Sequence, residues 1–150
     1  MTDANKALAR RWYEEVWSAD SAAALEELLA PAAETHGFPQ PEAALHGAPA
    51  FRQSLREFRD GFSDIRVHVD EVIGEGDTVA VRWTAHMKHT GEGLGIRPTG
   101  REVTVPGSSF LCVKDGRITE GWESMDLTRV RRELESAAAA ASRPAGLLHA

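Results

Sequence analysis

Up to about Phe62 the apolar residues recur every three to four positions, and from Ser63 onward they recur every second position. The first period belongs to amphipathic helices and the second to half-buried strands. Asp3 is placed to cap a helix over Ala4 to Trp17, with Leu8, Trp12 and Val16 on one face beside Ala7 and Trp17. Asp20 and Ser21 cap a second helix that carries Ala24, Leu25, Leu28 and Leu29 and is stopped by Pro31. These two form an α-hairpin. A Pro-, Gly- and Ala-rich stretch over 32–49, with a short strand near Glu34 to Phe38, leads to a third helix over Ala50 to Phe62 through Phe51, Leu55 and Phe58.

Ile65, Val67 and Val69, then Val72 and Ile73, mark a strand that turns at Gly74 to Asp77 into a second strand, Thr78 to Lys88. A Gly-rich loop from Thr90 to Gly100 precedes a third strand, Arg101 to Lys114, and Asp115-Gly116 is a two-residue hairpin signal into a fourth, Arg117 to Asp126. A last helix is expected from Leu127 to about Glu135. The fold predicted is α+β: a cone-shaped barrel with three N-terminal helices packed on one face of a curved, mostly antiparallel sheet around an internal apolar pocket. Residues 1–135 make the domain, and the alanine-rich, then Pro/Gly-broken segment 136–150 reads as a disordered tail.

One core suits a chain of 150 residues, and the 42% hydrophobic and 27% charged fractions are those of an ordinary globular protein. The formal charge of −6, with basic and acidic residues interleaved, argues against a nucleic-acid partner. Arg129, Arg131 and Arg132 read as charge placed toward a helix C-terminus. The single cysteine, Cys112, excludes an intramolecular disulfide and reads as a buried inert thiol. No signal peptide or membrane span is evident, so a cytoplasmic protein is expected. A homodimer is also expected, because Phe110 and Cys112 would leave an apolar patch on the sheet's outer face.

The hairpin Gly76 to Thr84, the run His89-Thr90-Gly91 through Pro98-Thr99-Gly100-Arg101, and the segment Asp115-Gly116 through Trp122-Glu123-Ser124-Met125-Asp126 occur in a characteristic order and spacing. Over about residues 5 to 135 the chain resembles the SnoaL-like polyketide cyclases and ester cyclases, in the superfamily of nuclear transport factor 2, ketosteroid isomerase and limonene epoxide hydrolase. The resemblance implies an acid/base carboxylate on the last strand, which falls on Glu123 with Asp126 as the other candidate. It also implies a facing histidine, and there this chain departs, with Ser109 at that position. His36 lies where the family places a histidine at the pocket mouth.

A carboxyl group in an apolar pocket is desolvated until it can exchange a proton near neutral pH. Strand alternation sets Glu123 and Asp126 on opposite faces, so one of them faces the pocket, and Asp126 also fits a helix N-cap. Ser109, His36 and His89 are candidates to orient oxygens and water. Trp83, Trp122, Phe51 and Phe62 are candidates for the apolar wall, and Tyr13 for a donor to a ligand oxygen. His86 and His89 fall on opposite strand faces, and His36, His46, His68 and His89 show no ligand spacing, so no metal is implied. The glycines between Gly91 and Gly100 join strands and make no phosphate loop.

The reading is a cofactor-independent cyclase or isomerase that takes an apolar, polyketide-like small molecule in a secondary-metabolite pathway. The alternatives are an epoxide hydrolase-like enzyme, with Asp126 and Arg82 or Arg101 around one water, and a non-catalytic protein that binds or sequesters its ligand.

Overall fold

A computed structural model describes residues 2–141. Helix α1 (Thr2–Arg11) passes directly into a π-helical segment (Trp12–Ser18), followed by α2 (Ala22–Leu28), β1 (Leu29–His36), β2 (Ala44–His46) and α3 (Ala48–Gly61). The long strands β3 (Phe62–Glu75), β4 (Thr78–His89), β5 (Glu102–Lys114) and β6 (Arg117–Met125) come next, and α4 (Leu127–Ala141) closes the described chain. The strands form one open sheet in the order β2-β1-β6-β5-β4-β3. The four long strands pair antiparallel, as predicted, while β1 lies parallel to β6, which makes the sheet mixed. Breaks in register within β3, in the β1/β6 pair and between β5 and β6 bend the sheet.

Strand alternation sorts the side chains cleanly. Val79, Val81, Trp83, Ala85, Met87 and His89 of β4, and Val103, Val105, Ser109, Leu111 and Val113 of β5, are buried on the inner face. The helices cover that face with Leu8, Trp12, Val16, Leu25, Leu28, Phe51 and Leu55, and α4 adds Val130 and Leu134. Trp12, Trp17, Phe38, Phe51 and Phe58 form a cluster with ring centroids 5.2–6.3 Å apart, within the range of favourable aromatic pairs.

Several boundaries differ from the sequence reading. The second helix ends at Leu28, before Pro31, and Pro31 instead lies in β1, within the irregular stretch between Leu29 and Glu34. Ser21 caps α2 by accepting from the Ala24 N–H at 3.0 Å. The last helix continues to Ala141, past the expected Glu135, and the rest of the expected tail, 142–150, lies outside the described residues. Arg129 and Arg131 therefore stand in the early turns of α4 and not at its end, donating to the carbonyls of Thr104 and Leu94 at 3.0 Å each. Cys112 is half-buried on the sheet's outer face, not in the core. No helix among the described residues is long and apolar enough to cross a membrane.

Candidate active site

The helical layer and the inner sheet face enclose a small cavity lined by Tyr13, Trp17, Phe58, Trp83, Met87, Glu123, Met125 and Leu127, among others. Its free space is only about 20 Å³, enough for roughly one ordered water. A polycyclic ligand needs more, so the apolar pocket expected from the sequence is present but closed down by its own aromatic and methionine side chains. A cleft of about 190 Å³ adjoins it, bounded by Gly37, Pro41 and Ser124 and sharing Glu123, Met125 and Leu127 with the cavity.

Tyr13 enters the cavity through a local feature of the helix. In a regular α-helix the Leu8–Trp12–Val16 stripe would leave Tyr13 to one side. The π-helical segment, closed by the i→i+5 bond from Ala19 N–H to Glu14 O at 3.0 Å, turns each residue through a smaller angle. Both pairs, Trp12-Tyr13 and Val16-Trp17, then face inward. Tyr13 is 1% exposed.

At the centre stands Ser109. The Tyr13 hydroxyl donates to Ser109 Oγ at 2.6 Å and the Trp83 indole N–H donates to it at 2.9 Å. A serine hydroxyl accepts two hydrogen bonds and donates one, so its own proton is committed to Glu123 Oε2 at 2.5 Å. The other carboxyl oxygen of Glu123, Oε1, has no hydrogen-bond partner among the described residues. Burial pushes the Glu123 carboxyl up to about 7, partly offset by the Ser109 hydrogen bond. Burial, then the nearby Glu123 carboxylate, holds the Tyr13 phenol well above its ordinary value, so it remains a donor. Trp17 lines the same cavity, and its indole N–H is buried with no hydrogen-bond partner among the described residues.

Two glycines allow this close packing. Gly107 is the cross-strand partner of Trp83, and a Cβ there would fall 2.4 Å from the indole ring. Gly37, with φ +87°, lies so close to β6 that a Cβ would stand 2.0 Å from the Glu123 carbonyl oxygen.

Of the residues selected from the sequence, Glu123, Ser109, Trp83 and Tyr13 come together. Tyr13 gives its proton to Ser109 and so acts on the carboxylate's surroundings, not as the direct ligand donor expected. His36 and Trp122 are paired across β1 and β6 on the outer sheet face, stacked with ring centroids 5.4 Å apart, and Trp122 is 42% exposed, so neither reaches the cavity. His89 is fully buried, but Nδ1 accepts from the Thr99 N–H at 3.2 Å and Nε2 donates to the Gly93 carbonyl at 3.0 Å. It latches the Gly93–Thr99 loop and has no nitrogen left for a substrate. Phe51 belongs to the aromatic cluster behind the cavity, and Phe62 packs on Phe58 and His89 beside a separate surface cleft. Asp126 is exposed, directly before α4. Of the set named for the hydrolase alternative, Arg82 pairs with Asp70 and Glu71 and Arg101 with Glu133, and among the described residues no ion pair joins either arginine to Asp126.

Helices packed on one face of a curved, mostly antiparallel sheet make this a protein of the nuclear transport factor 2-like fold. The model of the SnoaL-like polyketide cyclase family matches residues 7–134, and the chain belongs to that family. A protein of Jannaschia sp. CCS1, provisionally assigned as a SnoaL-like polyketide cyclase, superposes with a TM-score of 0.81 at 23% identity over 95% of both chains. IdmH of Streptomyces antibioticus, provisionally a polyketide cyclase, gives 0.77 at 26% identity over 87% of this chain and 98% of its own. AclR of Streptomyces galilaeus, provisionally a hydroxylase, gives 0.77 at 21% identity, covering 91% of this chain and 98% of its own. No curated protein matches the chain.

Proposed function

We propose that the protein is a cofactor-independent cyclase or isomerase in which Glu123 moves a proton on a carbon acid of an apolar, polyketide-like ketone. The observation that carries this reading is a desolvated carboxyl group near pH 7, steadied through one oxygen by Ser109 and free at the other. Glu123 Oε1 takes a proton from the carbon beside a carbonyl, and the electron pair of that C–H bond passes to the carbonyl oxygen as an enolate. The enolate carbon then either attacks a second carbonyl carbon to close a ring, or is reprotonated elsewhere, and the Glu123 proton is returned to the product. The unpartnered Trp17 N–H is the available donor for the developing oxyanion, and such preorganised donors supply several kcal/mol in a dry site. Met125 and Leu127 form the wall between the cavity and the outer cleft, so the substrate enters by displacing them. The flexible thioether of Met125 suits that movement.

The working form is proposed to be a homodimer in the cytoplasm of a producer of secondary metabolites, its apolar outer sheet face covered by a second copy.

The elementary step can be measured without knowing the natural substrate. 1-Tetralone, a bicyclic aromatic ketone that enters as Met125 and Leu127 give way, should exchange its α-protons for deuterium in the presence of the protein, followed by NMR. The rate should rise with pH through about 7 as Glu123 deprotonates. Glu123→Gln should cut it by ~10²-fold or more, and Asp126→Asn should leave it unchanged. Exchange that survives Glu123→Gln would refute carboxylate catalysis. Saturable tetralone binding without any exchange would favour the sequestering alternative.

A further inference from the structure

The ladders that build the outer sheet face bring together metal-binding side chains that are far apart in sequence. Glu34 of β1 is in register with His46 of β2 on one side and with Glu120 of β6 on the other. His36 lies two residues beyond Glu34 and so on the same face. One ligand atom from each of Glu34, His36 and Glu120 lies within 4.8 Å of the others. His36 Nε2 donates to Glu120 Oε2 at 2.8 Å, and His46 Nδ1 donates to Glu34 Oε1 at 3.2 Å. All of these groups are on strands, where ladder pairing fixes the backbone, and the indole of Trp122 stacks on the His36 ring and holds its plane.

We propose that Glu34, His36 and Glu120 form a binding site for a divalent transition-metal ion of the zinc type, on the sheet face opposite Glu123. The donor set decides the class of ion. Carboxylates alone would mark a solvated acidic patch or a site for a hard cation, whereas an imidazole among them favours zinc and its neighbours over magnesium or calcium. Bond lengths of about 2.0–2.2 Å to nitrogen and oxygen set tetrahedral ligands about 3.3 Å apart. The observed spacings, 2.8 Å for His36–Glu120 and up to 4.8 Å within the set, bracket that value. On binding, the proton that His36 Nε2 now gives to Glu120 leaves for solvent, and the metal takes its place between them. Solvent or His46 completes the coordination. The ion would join the short edge strand β2 and β1 to the body of the sheet. The inference is independent of the chemistry at Glu123.

The experiment is calorimetric titration of the whole protein with zinc chloride in chelator-free buffer, with magnesium chloride in parallel. One zinc ion per chain should bind with half-saturation at or below about 100 μM, and magnesium should give no comparable heat. His36→Ala, Glu34→Gln and Glu120→Gln should each weaken zinc at least ~10-fold. Cys112→Ser, at the ladder neighbour of Glu120, should leave binding unchanged. These positions are half-buried or exposed, and circular dichroism confirms the fold of each variant. The proposal is overturned by absence of zinc binding up to 1 mM, by magnesium binding as tightly, by binding that survives both His36→Ala and Glu120→Gln, or by loss of binding in Cys112→Ser.

Discussion

Ser109 has one proton and two lone pairs, and the structure uses all three. That saturation gives Glu123 its direction, because among the described residues the only hydrogen bond reaching the carboxyl group comes from a hydroxyl that cannot turn elsewhere. At this position the family resemblance implies a histidine, and the serine that stands there positions the carboxylate and does not itself titrate. The raised carboxyl has a stability consequence whose sign is fixed. Between the ordinary carboxyl value of 4.5 and about 7, the unfolded chain has lost this proton while the folded chain keeps it, so stability falls as pH rises through that window and is flat above it. Glu123→Gln removes the penalty. Relative to the native protein it should gain stability on going from pH 5 to pH 8, by at most about 3 kcal/mol, since a tenfold change in acidity is worth about 1.4 kcal/mol. Urea denaturation of both proteins at the two pH values measures this, and a difference that does not change with pH would show an unperturbed carboxyl group.

At the scale of elements, the site depends on β4 and β5 lying in a register that sets Gly107 beside Trp83. Gly107→Ala should force the indole away from Ser109 and cost about 1–3 kcal/mol, the usual range for overpacking. In a Trp83→Phe background, where the crowded six-membered ring of the indole is gone, most of that cost should vanish. The coupling energy from a double-mutant cycle by urea denaturation checks it, and simple additivity would mean that the two residues do not compete for space. The strands were legible in the sequence because a period of two survives in β3 to β6. That period sets Glu123 and Asp126 on opposite faces, and the structure shows that Glu123 is the one turned inward. Tyr13 was legible as a candidate but its burial was not, because a π-helical turn changes the phase of the helix without changing its composition. The family resemblance sets His36 at the pocket mouth, and Trp122 is a wall candidate by its aromatic ring alone, so neither expectation rests on the strand's neighbours. Only the parallel pairing with β6 shows that both side chains point outward. The Glu34–His36–Glu120 cluster was invisible for the same reason, since one of its members comes from β6, 84 residues beyond His36.

For the whole molecule, the outer face of the sheet carries a pattern that no single strand reveals. The ladders place Ile73, Ala80, Phe110, Trp122 and His36 in one row that crosses β3, β4, β5, β6 and β1. Among the described residues the three exposed large hydrophobic ones, Ile73 at 59%, Phe110 at 54% and Trp122 at 42%, all lie in it. Scattered apolar residues on a surface need no explanation, but three aligned across one face form a strip of the kind that other proteins or further copies cover. A second copy is the economical occupant, because an isologous contact lets one such strip cover its own equivalent. The native chain should therefore run as a dimer in light scattering at micromolar concentration. Phe110→Lys with Trp122→Lys should shift it to a monomer, at little cost to folding since both side chains point into solvent. The tetralone exchange rate should then discriminate further. If the dimer only covers the strip, the monomeric variant keeps its exchange activity, because Glu123, Ser109 and Tyr13 all come from within one chain. A native chain that is already monomeric at these concentrations would remove the case for self-association and leave the strip to a different partner.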